Sequence, residues 1–171
     1  MSEKIIPEHI DPYRYAEQSL HLTGFVKIAD MQRLSANLSL NNDHVAVDLQ
    51  FGRDEQKIVY LKGHLEIKLA LQCQRCMEPF VYDIISDFAL GVVNTLDEAN
   101  ALPDHYEPAL AVEGQLALRE LIEDEIILNL PIIPRHEPED CPVNLPTAES
   151  GWKDQGEGEN PFHVLKSLKH K

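Results

Sequence analysis

The sequence predicts an α+β fold: an antiparallel sheet built from the first half, a covering helix, and a partly mobile C-terminal segment. Three observations predict it. Several early segments alternate apolar and polar residues with the two-residue period of a half-buried strand. One later segment carries apolar residues at helical spacing. Beyond it, breakers and charge replace apolar residues. At 171 residues and 43% hydrophobic content, the chain can bury one domain-sized core. The expected division is a single α+β domain over 1–146, then an acidic linker and a basic tail over 147–171.

The elements follow in chain order. "ADMQRLSANLSL" spaces Met31, Leu34 and Leu38 as a short helix would. "VAVDLQF" (45–51) alternates cleanly, and so does "KIVYLKGHLEIKLALQ" (57–72) through Leu65, Ile67, Leu69 and Leu71. "FVYDIISDFAL" (80–90) places Phe80, Tyr82, Ile84, Phe88 and Leu90 on one face. Only "CQRCMEP" separates these last two, so they form a hairpin with Cys73 and Cys76 at its tip and Pro79 closing the turn. Residues 94–108 are rich in Asp, Glu and Pro and are expected to form a loop.

"QLALRELIEDEIILNLP" is the main helix, expected over 115–130. Leu118, Leu121, Ile122 and Ile126 make its apolar stripe, with Glu120, Glu123 and Asp124 off it. Pro131 stops the helix or lies just past its end. Glu125 falls on the stripe itself, seven residues after Leu118. A carboxylate there needs a partner or a route to water.

"ESGWKDQGEGENP" is poor in apolar residues and is expected to be mobile. "NPFHVLKSLKHK" then offers Asn160 as a cap and Pro161 for a first turn. Phe162, Leu165 and Leu168 recur every three residues, beside Lys166, Lys169 and Lys171. Such a basic amphipathic tail is a docking element or an ordinary packed terminal helix; the same apolar face serves both.

The formal net charge is −14, most of it in the second half. Such a surface repels nucleic-acid phosphates, whose affinity for proteins comes largely from Lys and Arg displacing counterions. It suits a basic partner such as a ribosomal protein, or serves solubility. No apolar run approaches the ~20 residues needed to span a bilayer. The first residues lack the apolar stretch of a secretory leader, so a cytoplasmic location is the expectation.

Three cysteines do not make a disulfide framework. Cys73 and Cys76 are spaced to hold one metal with two thiolates. Cys141 offers a third, and His136 an imidazole in the same Pro-bounded loop. Together they can form a closed Cys3His zinc site that pins a distant loop to the hairpin tip. His64 and His105 are less favoured fourth ligands. A Cys-x2-Cys pair also serves thiol–disulfide chemistry, although that motif usually opens a helix after a strand. Plain reduced thiols are the third reading. Arg75, between the two cysteines, would favour thiolates and can also face a carboxylate such as Glu125.

No phosphate-binding glycine loop, nucleophile elbow or metalloprotease helix is present. Glu120, Glu123, Asp124 and Glu125 are candidates for Mg²⁺ in a metal-dependent nuclease or RNA-processing enzyme. They crowd one helix, with no second carboxylate cluster placed opposite.

Several stretches together resemble the YceD family, the large ribosomal RNA subunit accumulation proteins. They are "DPYRYA", "LQCQRCMEPF", "LPDHYEP", "LIEDEIILNLPIIPRHEPEDC" and the terminal "NPFHVLKSLKHK". The resemblance implies a role in synthesis, processing or stability of 23S ribosomal RNA, and no established enzyme activity. Other branches of the family carry several more cysteines after the position of His136 and Cys141. This chain lacks them, so a four-ligand site here needs His136.

The expected function is therefore a non-enzymatic factor in large-subunit biogenesis that binds a basic ribosomal protein or another assembly component. Candidate contact residues are Arg75, Glu125 and, in the tail, Phe162, Leu165, Leu168, Lys166 and Lys169. Direct RNA binding would have to use a local patch, Arg75 with Lys62 and Lys68 or the tail lysines, against the overall field.

Overall fold

A computed structural model describes residues 5–35 and 44–143. Leu38 and the whole 147–171 segment, with Phe162, Leu165, Lys166, Leu168 and Lys169, lie outside the described residues.

The elements run β1 (His9–Ile10), α1 (Pro12–Glu17), β2 (His21–Lys27), a 3-10 turn (Ile28–Asp30), α2 (Gln32–Ser35), β3 (His44–Arg53), β4 (Val59–Gln72), β5 (Pro79–Val93), α3 (Leu96–Asn100), β6 (Glu107–Leu110), β7 (Leu116–Ala117) and α4 (Leu118–Leu128). The fold is α+β. Five strands form one sheet in the order β2-β3-β4-β5-β6, and β1 pairs with β7 in a small second sheet. The pairs from β2 to β5 are antiparallel.

The β4–β5 hairpin is the backbone of the sheet, registered from Tyr60 opposite Gly91 to Gln72 opposite Pro79. Its alternation is the predicted one. Leu61, Leu65, Ile67, Leu69 and Leu71 of β4 are buried with Val45, Val47, Leu49 and Phe51 of β3. Leu118, Ile122 and Ile126 of α4 join the same cluster, so the helix covers this face. Gly63 sits opposite Phe88 on it. A Cβ at Gly63 would lie 2.0 Å from the Phe88 ring, so the ring occupies the place of the missing side chain.

The structure departs from the sequence reading in several places. β2 was not anticipated. Leu22 and Val26 are buried, but Gly24 and the exposed Phe25 interrupt the pattern between them. The 94–108 stretch is not all loop. Thr95 caps α3 by accepting from the Glu98 N–H at 3.2 Å, and Glu107 opens β6, which pairs parallel to β5. The sheet thus carries one parallel edge strand, contributed by the second half. The main helix begins at Leu118 rather than 115, because Leu116 and Ala117 pair with Ile10 and His9. The Met31 to Leu38 helix is described only as α2, with Leu34 buried within it and Met31 buried just before it.

Two carboxylates of α4 also correct the reading. Glu123, expected off the apolar stripe, is buried. It accepts from the backbone N–H groups of Arg33 (2.7 Å) and Leu34 (2.9 Å) and from the Arg33 guanidinium. It therefore ties α2 to α4. Glu125 does not reach freely into water: it is only 9% exposed. Arg75 does not face it.

Candidate metal centre

The centre forms where the β4–β5 tip meets the chain leaving α4. Cys73 donates its backbone N–H to the Glu78 carbonyl at 3.0 Å, and the Met77 N–H returns to the Cys73 carbonyl at 2.9 Å. Met77 takes a left-handed φ of 65° to close this turn. Loop 131–143 crosses it, and the Pro134 carbonyl accepts from the Gln74 N–H at 2.8 Å. A further turn, in which the Asp140 N–H donates to the Glu137 carbonyl at 3.1 Å, precedes Cys141. The Phe80 ring supports the His136 imidazole at 4.9 Å between centroids.

As a result, Cys73, Cys76, His136 and Cys141 each bring one ligand atom to a common point, all within 4.8 Å of one another. Cys76 Sγ lies 3.3 Å from His136 Nδ1. Cys73 and Cys141 are buried and Cys76 is half-buried; none forms a disulfide. Among the described residues this is the one such grouping of His, Cys, Asp and Glu. Three sulfurs and one imidazole nitrogen are the donor set of a closed structural zinc site.

The electrostatics favour a thiolate at Cys73 and oppose one at Cys76. Burial pushes the Cys73 thiol up. Backbone N–H groups of Cys76, His136 and Arg75 outweigh it and hold the thiol down to about 5. Cys76 goes the other way. Burial raises it, the Glu78 N–H partly offsets this, and the neighbouring Cys73 and Cys141 sulfurs raise it further. Arg75 donates its Nε–H to Cys141 Sγ at 2.9 Å and its backbone N–H to Cys73 Sγ at 3.4 Å. Its Nη2 sits 3.5 Å from the His136 and Glu137 carbonyls. One side chain thus spans the hairpin and the loop.

The other candidates sit elsewhere. His64 is on the open face of the sheet, bonded to Asp87 (2.7 Å) and Glu66 (3.1 Å), and these two carboxylates raise its pKa. His105 packs on Tyr106. Neither joins the cysteines. Lys62 lies over the Tyr60 ring and Lys68 pairs with Asp83, while Arg75 turns to Cys141. The three do not make one basic patch. The α4 carboxylates do not converge either: Glu123 and Asp124 are both engaged by Arg33. The supporting roles of Phe80 and Pro134 were missed in the sequence. The aromatic residue directly after the tip and the prolines around His136 were the available signals.

No helix among the described residues is long and apolar enough to cross a membrane.

The family model described as "Large ribosomal RNA subunit accumulation protein YceD" matches residues 61–169. A Haemophilus influenzae protein of that same description is 34% identical over 174 residues, covering 100% of both chains. No solved structure matches.

Proposed function

The chain belongs to the YceD family of large ribosomal RNA subunit accumulation proteins, and from that membership we propose that it supports 23S ribosomal RNA accumulation as a non-enzymatic assembly factor. The family match carries this reading. The net charge of −14 supports action through a basic protein component rather than through naked RNA, since acidic surface repels phosphates and attracts Lys and Arg. The metal-dependent enzyme reading lacks support from the carboxylates that suggested it. Glu123 and Asp124 are committed to Arg33.

In this reading Cys73, Cys76, His136 and Cys141 hold a structural zinc ion. Three thiolates with Zn²⁺ leave one negative charge, which Arg75 neutralises. Zinc here would fix the hairpin tip to loop 131–143, the role of a closed site. The terminal segment, with Phe162, Leu165, Leu168, Lys166 and Lys169, is a second docking element, and the domain proper ends near 146.

The test is competition between a basic large-subunit ribosomal protein and a ribosomal RNA fragment for the purified chain. Binding of the protein should prevail and weaken with salt, because exposed charges are screened over ~10 Å at 0.1 M. Tight RNA binding with no protein partner would overturn the reading.

A further inference from the structure

β5 is longer than its outer neighbour. It runs from Pro79 to Val93, yet β6 pairs only with Leu90–Val93. On that side residues 80–89 have no strand beside them and no backbone hydrogen bond among the described residues. In an antiparallel pair, alternate residues turn their N–H and C=O groups away from the partner. The open stretch is therefore a ladder of unpaired backbone groups roughly 30 Å long, at about 3.4 Å per residue. Folded proteins usually shorten, bulge or cover such an edge, because it is a template for another strand.

Its side chains specify what fits. On the open face of the sheet Val81 and Ile85 are 68% and 66% exposed, and they alternate with Asp83 and Asp87. One oxygen of each carboxylate is engaged from the β4 side, by Lys68 and His64. On the opposite face Phe80, Tyr82 and Phe88 are only partly buried against the core. Where the open stretch ends, Glu107 starts β6 opposite Leu90. The buried Glu125 lies within electrostatic reach of Glu107, and neither has an ion pair among the described residues. The edge thus offers backbone groups, apolar contacts at two-residue spacing, Asp83 and Asp87 with one oxygen each engaged from β4, and the exposed Glu107, which has no ion pair among the described residues.

We propose that residues 80–89 of β5 receive an extended basic segment of a partner protein as an added β-strand, apolar residues alternating with Lys or Arg. This rests on the reading that the chain binds a basic assembly component, and it names the surface. Strand addition draws affinity from main-chain bonds and specificity from alternate side chains. A second copy fits less well, because two chains of charge −14 would bring their acidic edges together. The chain's own tail fits less well, because Phe162, Leu165 and Leu168 recur at helical rather than strand spacing. RNA is disfavoured by Asp83 and Asp87.

Amide hydrogen exchange on the full chain tests this with three probes: a ten-residue peptide alternating Lys and Val, its Glu–Val counterpart, and a short RNA oligonucleotide. The Lys–Val peptide should slow exchange within 80–89 at least tenfold; the Glu–Val peptide and the RNA should not. Val81→Lys with Ile85→Lys should weaken peptide binding at least tenfold and leave thermal stability unchanged. Slow exchange, in the free chain, of the 80–89 amides that face away from β4 would overturn the proposal; those bonded to β4 exchange slowly in either case and are not counted. If dilution relieves it, a second copy covers the edge; if not, the chain's own tail does. If the peptide fails while an intact basic ribosomal protein still binds, the edge is the wrong surface and the assembly-factor reading stands. If only RNA binds, both fall.

Discussion

Arg75 and Cys141, sixty-six residues apart, are joined by an Nε–H to Sγ hydrogen bond of 2.9 Å. The bond links the tip of a hairpin to a loop beyond the last helix. Its donor is a permanent cation and its acceptor one of three clustered sulfurs. Such outer contacts orient ligands and tune their basicity, and losing one commonly costs 10–100-fold in metal affinity. Arg75→Gln should keep all four ligands and bind zinc roughly tenfold more weakly. Competition with a chromophoric chelator measures this. Unchanged affinity would reduce Arg75 to a purely structural tie.

Removal of a ligand is the harsher test. The chain purified without chelator should carry close to one zinc per molecule. Cys76→Ser should lose the metal, lower the thermal midpoint and speed amide exchange in loop 131–143, since structural zinc contributes folding energy directly. A metal-free wild-type chain of equal stability would leave only reduced thiols.

Glu123 makes a separate prediction, because its carboxylate takes two backbone N–H groups and a guanidinium. Glu123→Ala would strand the N–H groups of Arg33 and Leu34 beside the core and remove the tie from α2 to α4. A loss of about 2–4 kcal/mol is expected, given 1–3 kcal/mol for a buried unsatisfied group and more where a charge is involved. Urea unfolding reads it. A change within 0.5 kcal/mol would show that water replaces the carboxylate at no cost.

The hairpin was legible because β4 alternates throughout, β5 sets Phe80, Tyr82, Ile84, Phe88 and Leu90 on one face, and only six residues separate Gln72 from Pro79. The Cys3His cluster was legible in its residue types, since Cys-x2-Cys at a tip limits the geometry. Its closure was not. That depends on Pro134, Phe80 and Arg75 meeting across some sixty residues of chain, and pattern reasoning has no measure of such distances. β2 escaped because Gly24 and Phe25 break its phase. Glu123 escaped because helical spacing reports one apolar face, whereas α4 is buried on two sides, against the sheet and against α2.

Gly63 gives a packing prediction. The Phe88 ring fills its side-chain position, 2.0 Å from where a Cβ would stand. Gly63→Ala must displace that ring or bend the hairpin, at about 1–3 kcal/mol, the usual range for overpacking. Gly63→Ala combined with Phe88→Leu should recover part of the loss. Equal stability of Gly63→Ala and wild type would mean that the partly exposed ring swings out freely.

Glu125 gives a pH prediction with a definite sign. Burial, then the neighbouring charges of Glu107 and Asp124, raise its pKa above the ordinary glutamate value. The folded state therefore holds this proton more tightly than the unfolded chain does. A raised carboxylate favours folding while protonated, and that contribution is lost as pH climbs through the folded-state pKa. At neutral pH this side chain thus opposes folding, with no counter-ion among the described residues. Glu125→Gln removes the charge at similar volume. Its thermal midpoint should exceed the wild type near pH 7, and the gap should close as pH falls below about 4, where glutamate is mostly protonated in both states. Midpoints of both chains across this range are the measurement. A variant less stable than wild type at neutral pH would mean that the carboxylate is already paired in solution, and would remove it from the unpaired charges beside the β5 edge.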